Sequence, residues 1–260
     1  MKLKDLKEKS IGLVLSGGGV KGMAHIGTIK ALNERNIYPD SISGVSAGAI
    51  VGALYANGTS PVNMLVFFKE TPLLKYHFFT LNKSGLFDTE KYLFFLSNYF
   101  EKDAFDTLEK ELFVTATDLQ SGVPKVFSKG QLFRPLLASA ALPPVFKPVS
   151  IDGRMYADGG IMNNFPMEPL TGNVEYIIGS YTSGMKDIGK ALLKNPEQLA
   201  NRTRRLMLHA NSREKLCAAD ILFRPKGLEY IKVLDKEGID KAYLIGYEHA
   251  SRYLDDLIDS

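Results

Sequence analysis

Three features of this 260-residue chain predict an α/β fold with a central, mostly parallel sheet flanked by helices. Short unbroken apolar runs at Ile11–Ser16 and Glu175–Ser180 have the length and composition of strands buried on both faces. Segments with helical spacing follow such runs, at Met23–Asn36 and Ala47–Asn57. Glycine clusters stand at the junctions, where a parallel strand turns into its crossover helix.

Composition narrows the class. The chain is 45% hydrophobic and 23% charged with 23 Gly and 12 Pro, an ordinary globular balance. A net charge of +3 gives no field that implies nucleic-acid binding. The single cysteine, Cys217, allows no internal disulfide, which fits a reducing, cytoplasmic compartment. With no Cys/His cluster of ligand spacing, no metal and no cofactor are expected. The apolar run after Lys2–Lys9 is too short and its flank too acidic for a secretory signal. No stretch of about 18 apolar residues suggests a membrane span, which leaves at most peripheral contact with a membrane.

Taken in order, Ile11–Ser16 is the first strand and Met23–Asn36 a helix closed before Pro39. Ser41–Ser43 is a brief second strand, and Ala47–Asn57 a helix small and apolar all round, with Gly58 as its cap. Pro61–Phe100 holds 11 of the 27 Phe and Tyr residues in helical segments divided by Pro72, Asn82 and Gly85. It is read as a cap inserted after the second helix. Most of its aromatics are expected in the core, with Phe78, Phe79 and Phe87, beside the breakers, lining a pocket. Leu112–Asp118 and Lys125–Ser128 form a strand pair about the turn Gln120–Gly122. Gln131–Ala141 is a helix ended by Pro143 and Pro144. Val149–Ile151 and Arg154–Ala157 flank the hairpin signal Asp152-Gly153. Helices over Pro196–Cys217 and Asp240–Leu257 enclose a strand at Asp220–Phe223. No linker divides the chain, so residues 8–260 are expected to form a single domain.

Two motifs carry chemistry. Gly17-Gly18-Gly19-Val20-Lys21-Gly22 lies between a strand and a helix, where backbone amides face any negative charge at the helix N-terminus. Gly17, Gly19 and Gly22 also fit the dinucleotide pattern G-x-G-x-x-G, but Asp40 precedes the second strand instead of ending it. Gly44-Val45-Ser46-Ala47-Gly48 is G-x-S-x-G in a strand–turn–helix context, which presents Ser46 as a nucleophile. A hydroxyl needs a base. Ser46, Asp158 and His209 have the chain order of a Ser–acid–His triad, yet His209 lies inside an expected helix. His25 is read as orienting the first helix. Asp158-Gly159-Gly160 taken alone is a turn. Arg202, Arg205 and His209 share a helix face and are read as solvated, with anionic headgroups as the functional alternative.

Together, the GGG-x-K-G loop, G-x-S-x-G and the later D-G-G resemble the patatin-like phospholipase family. The likeness extends to Ser139–Phe146 (SAALPPVF), Ala116-Thr117-Asp118-Leu119, Asn164 and Pro166, and covers about residues 10–180. It implies the three-layer patatin-like fold and a Ser46–Asp158 catalytic dyad that forms an acyl-enzyme. It also implies an oxyanion loop of Gly17, Gly18 and Gly19, with Lys21 in the loop's basic, substrate-binding position. The implied activity is a phospholipase A or lysophospholipase acting on a lipid or other ester. The alternatives are a general carboxylesterase or thioesterase with the same dyad, a nucleotide-binding module using Gly17–Gly22, and a lipid-binding scaffold with an idle site.

Overall fold

The computed structural model describes residues 6, 8–71, 93–185, 187–233 and 236–258. Its strands are β1 (Ile11–Leu15), β2 (Ser41–Val45), β3 (Glu111–Asp118), β4 (Val123–Phe127), β5 (Val149–Ile151), β6 (Arg154–Asp158), β7 (Tyr176–Ser180) and β8 (Ile221–Phe223). They form one sheet in the order β5-β6-β3-β2-β1-β7-β8, with β4 also on β3. The run β3-β2-β1-β7-β8 is parallel, and β4, β5 and β6 add antiparallel pairs.

The helices are α1 (Met23–Asn33), α2 (Ala47–Ala56), α3 (Pro61–Glu70), α4 (Leu93–Ser97), α5 (Phe133–Ala140), α6 (Pro196–Ala210), α7 (Arg213–Leu216) and α8 (Ile239–Ile258). β1 shows why its sequence is apolar without alternation. Leu13 and Leu15 join the large core shared with α1, α2, α3, α5 and α8, while Val14, on the opposite face, meets Phe165, Met167, Leu170 and Leu216. No helix among the described residues is long and apolar enough to cross a membrane.

Some boundaries differ from expectation. β2 runs on through Val45, because Gly44 and Val45 pair with Val114 and Thr115 of β3. The helix expected over Pro196–Cys217 divides into α6 and α7. At the break Ser212 is fully buried and its hydroxyl donates to Leu208 O, while Asn211 Nδ2 donates to Ile161 O. Side chains of this type compete with helical backbone bonding. In the aromatic segment, α3 starts at a Ser60 cap whose hydroxyl accepts from Asn63 N. Phe67, Phe68 and Phe100 are buried in the main core, and Phe67 meets Tyr99 edge-to-face at 4.8 Å. Phe78, Phe79 and Phe87 lie outside the described residues.

α8 lies across α1 with backbone touching backbone. A Cβ at Gly246 would sit 2.1 Å from Ala24 O, and one at Gly27 would sit 2.2 Å from Tyr243 O. α8 also contacts the Gly19–Gly22 turn at the head of α1, so this crossing steadies the glycine loop. Gly246→Ala is expected to destabilise the protein by about 1–3 kcal/mol through overpacking, read as a fall in Tm of several degrees.

Candidate active site

β3 brings the two halves of the site together. Its residues 114 and 115 pair with both β2 and β4, so those strands lie on opposite edges of β3. Residues 116–118 pair with both β4 and β6, which puts β6 on the same edge as β2. Val45 pairs with Thr115 and Asp158 with Ala116, so the last residue of β2 and the last residue of β6 occupy successive rungs and point at one another. Both chains must leave the sheet there. Ser46 is the first residue out of β2, and Asp158 the last of β6.

The exit from β2 is sharp. Ser46 has φ 55° and ψ −127°, a conformation that costs a non-glycine residue about 1–3 kcal/mol. Space explains the flanking glycines, since a Cβ at Gly48 would lie 2.4 Å from Leu15 O and one at Gly44 2.7 Å from Gly48 O. Ser139 of α5 holds the turn. Its hydroxyl accepts from Ser46 N at 2.8 Å and donates to Thr115 O at 2.6 Å. Ser46 caps α2, so the positive end of that helix dipole lies beneath it.

The glycine loop is bound from both sides. Gly17 N donates to Asn164 Oδ1 at 3.1 Å. Gly17 O accepts from the hydroxyls of Ser16, Thr182 and Ser183 at 3.2, 3.1 and 2.7 Å. Across a planar trans peptide the next N–H points opposite to the carbonyl, so the Gly18 N–H is turned away from those hydroxyls. The Gly17 amide, expected among the oxyanion donors, is committed to Asn164. Val20 N donates to Val233 O at 2.8 Å, tying the loop to the segment after Gly227.

Asp158 is 5% exposed. Burial pushes its carboxyl up to about 6, against opposing influences from the Ser46 hydroxyl and from Gly160 N, which donates to Oδ1 at 2.8 Å. The strand beneath is fixed by Thr117 Oγ1, which donates to Asp158 O, and by Asp158 N, which donates to Ala141 O. Asp118 anchors the same hairpin. Arg154 Nε donates to its Oδ2 at 2.6 Å, and with Ser121 N and Gln120 N on Oδ1 holds it well below the usual carboxylate range.

His25 and His209 serve the framework. His25 is fully buried, with Nε2 2.8 Å from Ser16 O and Nδ1 2.7 Å from Ser180 Oγ. A carbonyl only accepts, so Nε2 carries the proton and Nδ1 accepts from Ser180. Burial lowers its pKa to about 4. His209 meets the Tyr181 hydroxyl through Nδ1 at 2.8 Å. Asp40, the acid that a dinucleotide site would need, sits at the opposite end of β2, where Oδ2 accepts from Ile11 N.

A cavity of about 500 Å³ covers this ground. Gly17, Gly18, Gly19, Lys21, Ser46 and Asp158 all line it, and its walls include Met23, Ile50, Phe68, Leu137, Leu142 and Phe146. The resemblance carried by the loop, the elbow and D-G-G implied this convergence. The sequence reading missed the two roles of Ser139 and the bond from Gly17 to Asn164, although both residues lie in the motif stretches. It also missed that Arg204 and Arg205 of α6 face the cavity; Arg205 was read as solvated.

The patatin-like phospholipase family model matches residues 13–171. An NTE family protein of Mycobacterium tuberculosis is 32% identical over 174 residues, which cover 66% of this chain and 48% of that protein. Lysophospholipase nte1 of Aspergillus fumigatus is 26% identical over 282 residues, covering 96% of this chain and 18% of that protein. The chain therefore spans about half, or less, of the length of these curated relatives. The crystal structure of VipD from Legionella pneumophila has a TM-score of 0.54 at 17% identity, covering 95% of this chain and 67% of that one, a likeness of fold.

Two outcomes follow from the geometry. Ser139→Ala leaves Ser46 N without its acceptor and is expected to cost about 1–3 kcal/mol in denaturant unfolding. Asp158 has a folded value of about 6 against an ordinary 3.8, so its ionisation opposes folding. That opposition is absent below about pH 4, grows as pH rises to about 6 and is complete above it, with a ceiling of about 3 kcal/mol. The Tm of Asp158→Asn should therefore rise relative to wild type between pH 4 and pH 7. His25 carries the opposite dependence, destabilising as pH falls from 6.5 towards 4, and cancels because both proteins contain it.

Proposed function

Because the chain belongs to the patatin-like phospholipase family, we propose that it is a serine acyl hydrolase. Its substrates are lipid carboxylic esters of the phospholipase A or lysophospholipase kind, and one domain over residues 8–260 carries the activity. The observation that carries this reading is the meeting of Ser46, on a strained turn, with a buried carboxylate whose pKa is about 6, beneath a largely apolar cavity. The lysophospholipase named among its relatives points the same way.

Ser46 Oγ attacks the ester carbonyl carbon while Asp158 takes the hydroxyl proton. The carbonyl π pair moves onto oxygen, giving a tetrahedral intermediate. Asp158 then returns the proton to the departing alkoxide as the ester C–O bond breaks, which leaves Ser46 acylated. Water, deprotonated by the same carboxylate, repeats the sequence and releases the fatty acid. A pKa near 6 suits both duties, since Asp158 is ionised at pH 7 and its conjugate acid is strong enough to protonate an alkoxide. The amides of Gly18 and Gly19 receive the oxyanion, and in comparable sites one such donor is worth about 3–4 kcal/mol. With the Gly17 carbonyl bound by three hydroxyls, these amides need no rearrangement as charge develops. Lys21, 4% exposed in the cavity lining, supplies a positive charge near the loop.

Ser46→Ala and Asp158→Asn should each lower kcat/KM for p-nitrophenyl butyrate by about 10³-fold or more. A fluorophosphonate should label wild type and spare Ser46→Ala. Full turnover by folded Ser46→Ala protein would sink the proposal. For wild type, kcat/KM should drop about tenfold per pH unit below about pH 6, as Asp158 becomes protonated.

A further inference from the structure

Helix α6 faces the wrong way for a helix arranged by burial. None of its residues is buried, and Leu199, Leu206 and Met207 are 47%, 46% and 63% exposed. The side turned to the cavity carries Asn201, Arg204, Arg205 and Leu208, at the i, i+3, i+4, i+7 positions normally kept for apolar contacts. Leucine and methionine are thus left to solvent while Arg204, exposed, and Arg205, half-buried, line the cavity, a placement that favours an anionic partner there.

That partner is absent from the described residues. No carboxylate pairs with Arg202, Arg204 or Arg205. Arg204 Nη2 donates to Asn201 Oδ1 at 2.7 Å, which leaves its other guanidinium donors. Arg205 is half-buried, and burial together with the neighbouring Arg202 lowers its pKa. Arg202 Nη1 is buried without a hydrogen-bond partner. Among the described residues two carboxylates line the cavity, Asp158 beside Ser46 and Glu229, whose Oε2 accepts from Gly227 N. Apolar side chains line the same cavity, among them Met23, Ile50, Phe68, Leu137, Leu142 and Phe146.

We propose that Arg204 and Arg205 form an anion subsite that grips the phosphate of a phosphate-bearing amphiphile while its alkyl chain lies on the apolar wall of the same cavity. The assignment deepens the acyl hydrolase reading and rests on it for the ester that lies between the two ends. Guanidinium forks fit phosphate oxygens bidentately, which a lysine cannot do. The subsite lies outside residues 13–171, so it belongs to this chain's C-terminal portion and not to the stretch matched by the family model.

The test is calorimetric titration of the full chain with hexyl phosphate, hexanol and inorganic phosphate, in wild type and in the double variant Arg204→Gln/Arg205→Gln. Wild type should bind hexyl phosphate about tenfold or more tighter than either of the others. The double variant should lose about tenfold for hexyl phosphate, and far less for hexanol. Undiminished affinity in the variant overturns the subsite. Inorganic phosphate bound as tightly as hexyl phosphate overturns the headgroup assignment in favour of a free-anion site. In turnover, KM for lysophosphatidylcholine should rise about tenfold more than KM for p-nitrophenyl butyrate. Equal losses on both would assign the arginines a structural role. If wild type hydrolyses neither ester yet binds hexyl phosphate through the arginines, the hydrolase reading falls and the subsite stands. Restoration by Arg204→Lys/Arg205→Lys to full wild-type affinity would overturn the bidentate contact.

Discussion

One edge of β3 bonds two strands that run at each other, and the site is a consequence of that collision. β2 must stop at Val45 because β6 occupies the next rung, and β6 must stop at Asp158 for the same reason. Neither chain can continue in plane, so each turns out of the sheet at the seam. The strain at Ser46 is the local cost of that turn, and three contacts stabilise it. Ser139 bonds its amide, Gly48 lets α2 approach the end of β1, and α2 sets its N-terminus below the hydroxyl. Removing any one leaves the other two holding a conformation the residue would not adopt unaided.

The electrostatics follow from the same seam. A carboxylate at the end of a strand in the middle of a sheet is buried whatever its role, and burial raises its pKa. The surroundings stop short of neutralising it outright, because Gly160 N and the Ser46 hydroxyl favour the charged form. Asp118, at the end of the neighbouring strand β3, shows the contrast. With Arg154 and two backbone amides on it, it stays ionised and serves only to hold the turn. Two aspartates on paired strands thus receive opposite treatment, one raised by burial and the other lowered by its bonds.

Local chemistry made most of the fold legible. Ile11–Leu15 was recognisable because a strand buried on both faces has no polar alternation, and Asp152-Gly153 marked its hairpin because that turn needs positive φ at both residues. G-x-S-x-G in its strand–turn–helix setting located the elbow for the same kind of reason. What stayed hidden is non-local. Nothing in Arg154–Asp158 says that it will pair with the edge of β3 that β2 already uses. Ser139 and Asn164 were visible as parts of a resemblance, but their partners are 93 and 147 residues away. α6 misled because ordinary amphipathic logic turns Leu199, Leu206 and Met207 inward, whereas here the arginine side meets the cavity. Among the clustered aromatics, composition could not separate Phe67, in the core, from Phe68, which is buried and also reaches the cavity lining.

The bond from Val20 N to Val233 O and the crossing of α8 over α1 join the glycine loop to residues synthesised more than 200 positions later. Contacts of such separation form late, after their loop-closure entropy has been met. A nascent chain that has emerged only through β7 already contains the serine, the aspartate and the loop. It lacks the braces that set the loop's amides. The glycine loop is therefore braced only once α8 has docked on α1.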